Sequence, residues 1–161
     1  MKALTLTQPW ATLVAIGAKR IETRSWSTSY RGLIAIHAAK GFPAEARQLC
    51  YEPPFVGILE AAGFRLPSDL PVAQIIATAH VMNCYRFDER SESIVRSGRV
   101  PQLTAPSEAD FGDFAPGRFG FLLADVHRLP EPVAARGMLN LWNIPADVAA
   151  RVTAQLSKVG E

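Results

Sequence analysis

The stretch Val72–Phe87, VAQIIATAHVMNCYRF, sets the hardest constraint on what this chain can fold into. It holds no Gly or Pro and reads as one strand. Strands usually run about 3–10 residues, so a strand of this length in a small fold has to bend or bulge. Ala3–Leu6, Arg20–Trp26 and Arg118–Leu129 read as further strands. Leu33–Ala38 is apolar enough to be buried on both faces. Pro130–Trp142 reads as loop plus short strand.

Helices are expected between these strands and after them. Thr7-Gln8-Pro9 opens one, with Trp10, Leu13, Val14 and Gly17 on a single face. Pro43–Gly63 is helical with a break at Pro53-Pro54, and Leu66–Pro71 is loop. Asp88–Pro116 is polar and irregular, with short helical turns. Pro145–Val159 ends the chain as an amphipathic helix presenting Val148, Val152, Leu156 and Val159. Strands and helices do not alternate regularly, which argues against a doubly wound sheet. An α+β fold, a small bent β-barrel with flanking helices, fits better.

A chain of 161 residues, 48% apolar, is the size of one domain, here 1–161. Cys50 and Cys84 make neither a disulfide framework nor a zinc site, and no metal-ligand spacing or cofactor motif is present. No apolar window reaches membrane-span length, and MKALTLTQPW has no signal-peptide pattern. The expectation is a cytoplasmic protein without a membrane partner. Oligomeric state is not legible.

Charge is distributed unevenly. The net value is only +2, but residues 1–40 carry six basic side chains (Lys2, Lys19, Arg20, Arg24, Arg31, Lys40) against one acid, Glu22. An anionic ligand would meet this quarter of the chain. Within it, Glu22, Arg24 and Trp26 share one strand face, and Ile21, Thr23 and Ser25 the other. An acid, a planar cation and a flat indole in line suit a nucleobase: the ring stacks, the carboxylate accepts from an exocyclic amine, and basic groups meet phosphate. An exposed strand with a Glu22–Arg24 ion pair, worth at most about 1 kcal/mol, accounts for the same pattern. Trp10 suits either the core or a ligand platform. Gln8 could serve a ligand near a helix start or merely solvate a turn. His37, His80 and His127 sit in strands without a nucleophile at motif spacing, and Arg118-Phe119-Gly120-Phe121 resembles an RNA-binding aromatic segment only superficially and reads as core.

Leu4-x-Leu6-x-Gln8-Pro9-Trp10-Ala11, then Gly17-x-Lys19-Arg20-x-Glu22-x-Arg24-Ser25-Trp26, then Arg31-Gly32 and a strand to Lys40, resembles the ASCH domain. Gly120–Trp142 is similar to that family's closing strands, and about 41–116 carries no familiar motif and is expected to be a variable region. The resemblance implies a PUA-like fold and a cleft lined by Gln8, Lys19, Glu22, Arg24 and Trp26. It also implies a role on RNA or modified bases.

The first expectation is thus a module that binds single-stranded nucleic acid, RNA before DNA. Gln8, Trp10, Lys19, Arg20, Arg24, Trp26 and Arg31 are its binding candidates, with Gln8 and Glu22 reading base edges. The alternative is a metal-independent enzyme on RNA or a modified nucleoside, with Lys19 and Glu22 catalytic. That enzyme would be either a ribonuclease or similar to the N4-acetylcytidine amidohydrolases. Of the latter's Lys–Thr–Glu set only Lys19 carries over; the Thr position falls on Glu22, and the partner Glu has no counterpart in Val72–Phe87. An interaction domain in transcription or translation regulation is a third reading.

Overall fold

The structure is a computed structural model and describes residues 1–99 and 106–157. Strands β1 (Lys2–Leu6), β2 (Ile21–Arg24), β3 (Gly32–Ala38), β4 (Gln74–Arg86), β5 (Phe119–Ala134) and β6 (Leu141–Asn143) form one curled sheet in the order β2-β5-β4-β3-β1-β6. β1 runs parallel to β3, and the other pairings are antiparallel. The long central strand does bulge. The β4–β5 register shifts between Ile75 and Ala77, between Thr78 and His80, and between Val81 and Asn83. These shifts bend the β4–β5 ribbon so that β2 at one end of the order curls back toward β1. The result is a half-barrel, the PUA-like α+β fold expected.

Among the described residues, five short helices flank the sheet: α1 (Trp10–Ala15), α2 (Ala44–Leu49), α3 (Phe55–Ala61), α4 (Ser91–Arg96) and α5 (Ala146–Leu156). The break at Pro53-Pro54 separates α2 from α3, because Pro cannot continue the hydrogen-bond ladder of α2. Val159 lies outside the described residues.

Period-two alternation sorts the core onto two faces. Leu4, Leu6, Ile34, Ile36, Phe121 and Leu123 face α1, with Ala11 and Val14 packed into them. Ala3, Ala35, Ile75, Val133 and Trp142 face α5, through Val148 and Val152. β3 is buried on both sides, as its unbroken apolar run required.

The described residues of the region 41–116 are anchored in the fold. Phe111 meets Leu13, Phe55 and Leu59 below α1. Ala109 and Phe114 join Ile21, Phe87 and Leu122.

His37 is buried on the α5 face, where its Nε2 lies 2.9 Å from the Ala135 carbonyl and its ring stands edge-on to Trp142. Burial pushes the imidazole's pKa below its ordinary 6.5, against the smaller raising effect of the Ala135 contact. Above 6.5 the ring is neutral folded or unfolded, and its full contribution is present. As pH falls below 6.5 the unfolded chain protonates first, so stability is lost until the folded value is passed. Denaturant unfolding between pH 5 and 8 is expected to show this loss beginning near 6.5 and to show less of it in His37→Gln.

Candidate nucleic-acid interface

β2 is four residues long and carries the site's charges. Glu22 and Arg24 meet on one side of the strand, and the hollow beside them is lined by Thr23, Ser25 and Trp26 as well. Lys19, just before the strand, is almost wholly buried. Its amine lies 3.1 Å from Glu22 Oε2 and donates to the Ile21 carbonyl. Arg24 Nε lies 3.0 Å from the other carboxylate oxygen, Oε1. Glu22 is therefore held between two cations. Arg24 Nη2 continues the row by donating to the Thr5 carbonyl at 2.7 Å. That bond crosses from β2 to β1, whose edge is open at Thr5 because β6 pairs with it only from Lys2 to Leu4.

Two hollows flank this row. One, of about 320 Å³, is walled by Trp10 and Trp26 and edged by Thr5, Glu22, Arg24 and Arg118. The other, of about 350 Å³, shares Trp10, Glu22 and Thr23 with the first and continues over Asp110, Phe111 and Asp113. Each is at the small end of the size usual for ligand pockets, about 300–1,000 Å³. The indoles are fixed by packing: Trp26 stands edge-on to Phe121 at 5.0 Å and Trp10 edge-on to Phe55 at 6.4 Å. Both remain half-exposed, so each offers ring surface to a ligand.

The other candidates lie elsewhere. Gln8 is fully buried: its Nε2 donates to the Pro71 carbonyl at 2.7 Å and its Oε1 accepts from the Thr12 N–H at 3.0 Å. It closes the first turn of α1 and ties that helix to the loop before β4. The Arg20 side chain borders neither hollow. Arg31 is exposed, with its guanidinium donating to the carbonyls of Thr28 and Tyr30 and to Asn83 Oδ1. The structure thus gathers Trp10, Arg24 and Trp26 around one hollow, with the buried Glu22 at its edge and Lys19 behind it.

Two participants, Glu108 and Asp113, were not singled out in the sequence. Glu108, in the 3-10 turn Pro106–Asp110, is buried, and its carboxylate accepts from the Arg20 N–H at 2.9 and 3.0 Å and from the Ile21 N–H at 2.7 Å. Asp113 donates its backbone N–H to Thr23 Oγ1 at 3.0 Å, and its carboxylate lies 3.2 Å from Arg118 Nε. These contacts span nearly ninety residues, between β2 and a segment without a motif. The one local signal, an acid in the first turn of a short helix, is too common to select Glu108.

Burial raises the Glu108 pKa above its ordinary 4.5, opposed by the nearby Lys19 charge and by the Arg20 and Ile21 N–H bonds. Between 4.5 and the raised value the folded chain holds more protons than the unfolded chain. This group's contribution is therefore full below 4.5 and is lost as pH rises through the folded value. Glu108→Gln is expected to flatten that part of a stability–pH profile. Glu108→Ala, which leaves two N–H groups without their acceptor, is expected to cost about 1–3 kcal/mol in denaturant unfolding at neutral pH.

A curled mixed sheet of this order, with a short helix against its open side and a charged, indole-walled hollow between them, defines a PUA-like protein. The particular family follows from comparison. The ASCH domain family model matches residues 4–111, and the chain belongs to that family. Activating signal cointegrator 1 of Homo sapiens is 29% identical over 110 residues, covering 67% of this chain, and its Mus musculus counterpart is 27% identical over 108 residues. This chain spans only 17% of the length of each. The crystal structure of ASCH from Zymomonas mobilis aligns with a TM-score of 0.56 at 15% identity, covering 95% of this chain and 93% of that one. A substituted form of the same protein gives 0.54. At that identity the likeness is one of fold. No helix among the described residues is long and apolar enough to cross a membrane.

Proposed function

We propose that the chain binds single-stranded nucleic acid, RNA before DNA, with a base held against Trp10 and Trp26 and a phosphate met by Arg24. The observation that carries this reading is the hollow in which two half-exposed indoles and a guanidinium fixed by Glu22 and Thr5 face one space. Stacking on an aromatic ring contributes about 1–3 kcal/mol per base without demanding a sequence. The guanidinium is tied by its Nη2 bond to the Thr5 carbonyl and lies at ion-pair distance from Glu22, which sets the direction of its remaining donors. Glu22 lines the same hollow and can accept from an exocyclic amine, while Lys19 balances its charge from behind. Gln8 takes a supporting part here, shaping the start of α1. Arg20 and Arg31 are at most peripheral contacts.

Fluorescence anisotropy with a labelled single-stranded RNA checks this. Affinity is expected to fall steeply with salt, and Arg24→Ala to weaken it at least tenfold. Binding indifferent to both would end the proposal.

One observation favours the enzymatic reading as a second choice: Lys19 and Glu22 form a buried pair whose carboxylate opens on the hollow. The enzyme would be a metal-independent ribonuclease or an amidohydrolase of a modified nucleoside. It ranks second because the Lys19 amine is 1% exposed and already engaged with Glu22 and the Ile21 carbonyl. A nucleophile or base needs access to substrate. Labelled RNA and N4-acetylcytidine, each incubated in chelator with wild type and Lys19→Ala, are expected to stay intact with both. Turnover by wild type that disappears in the variant would reverse the order of the two readings.

A further inference from the structure

The indole-walled hollow is not isolated. Thr5 lines it and also lines a larger hollow of about 970 Å³ at the C-terminal ends of β1 and β3. Lys40 lines that one and also a third, of about 660 Å³, beside α2. The three therefore adjoin one after another around one end of the sheet. Their charged linings are one-sided. Arg24 and Arg118 border the first, Arg136 and Lys40 the second, and Lys40 and Arg47 the third. Among the described residues no Asp or Glu lines the second or third hollow, and the first contains only Glu22, held between Lys19 and Arg24. This occurs in a chain whose net charge is only +2.

The same path carries exposed apolar surface. Leu139 is 88% and Met138 60% exposed at the second hollow, and Tyr51 is 52% exposed at the third. Arg47 lies over the Phe42 ring, 5.5 Å from its centroid, at the third hollow as well. Cations at intervals with flat or apolar surface between them match a polymer of alternating phosphates and bases.

We infer that a single RNA strand extends from the Trp10–Trp26 hollow past Thr5 and over Leu139 to α2. Arg136, Lys40 and Arg47 meet successive phosphates along that route. The inference rests on the nucleic-acid reading of the first hollow and deepens it. It assigns a site several nucleotides long, and it gives the α2 segment and the β5–β6 loop a part in binding.

The test uses the full chain, labelled single-stranded RNAs of two, four and eight nucleotides, and the triple variant Lys40→Gln/Arg47→Gln/Arg136→Gln. All three substituted side chains are exposed, so a matching unfolding midpoint confirms that the variant folds. Wild-type affinity is expected to rise from the dinucleotide to the octanucleotide. The triple variant is expected to bind the octanucleotide at least tenfold more weakly and the dinucleotide unchanged. Its log–log salt slope on the octanucleotide is expected to be shallower by about 2, since each phosphate that a cation neutralises on a single strand contributes about 0.7. Equal octanucleotide binding by variant and wild type would overturn the extended path while leaving the first hollow intact, provided Arg24→Ala still weakens the dinucleotide. Failure of wild type to bind RNA of any length would remove the underlying reading as well.

Discussion

The Glu22 carboxylate, shared between Lys19 and Arg24, is the interaction on which the rest of this site depends. Both cations lie within 3.1 Å of it, and one of them is buried from water. Removing Glu22 leaves the buried Lys19 amine without its carboxylate, at a cost of about 3–5 kcal/mol, several times that of an exposed pair. Desolvation means that the row adds little net stability over an apolar packing of the same volume. What it provides is direction. Arg24 is aimed at Thr5, and the bond between them draws the β2 end of the half-barrel to the open edge of β1. The space beside that bond, between Trp10 and Trp26, is the hollow proposed as a base site.

The second support comes from far along the chain. β2 pairs with β5 on one side only. A short edge strand of this kind needs its free N–H groups satisfied. Glu108 accepts from two of them at the strand's start, and Thr23 accepts from Asp113 further on. The same segment sends Phe111 and Phe114 into two separate apolar clusters. One stretch thus holds β2 in place and walls the neighbouring hollow.

These two layers of support differ in how far they can be read from sequence. Alternation along Arg20–Trp26 put Glu22, Arg24 and Trp26 together in the sequence, and all three line the candidate hollow, so this part of the candidate site could be read from spacing. The bulged β4 was legible from its length, and the α2–α3 break from Pro53-Pro54. Gln8, Arg20 and Arg31 looked like binders because they are polar and close by in sequence. Yet Gln8 is taken up by Pro71 and Thr12, and Arg31 by the Thr28 loop, through bonds that periodicity does not encode. Glu108 and Asp113 were hidden for the complementary reason. Their partners lie across the sheet, and no spacing marks a carboxylate that meets a strand edge eighty-seven residues away.

The central claim is that Arg24 acts through a fixed direction, set by Glu22 and Thr5, and not through its charge alone. Arg24→Lys isolates that difference, since a lysine keeps the charge but cannot hold two partners with a planar fork and still present free donors. The direct measurement is the affinity of Arg24→Lys for a short single-stranded RNA, beside wild type and at fixed salt. A loss close to that produced by removing the side chain to Ala is predicted. Affinity equal to wild type would show that charge is sufficient and that the Glu22 row has no part in recognition.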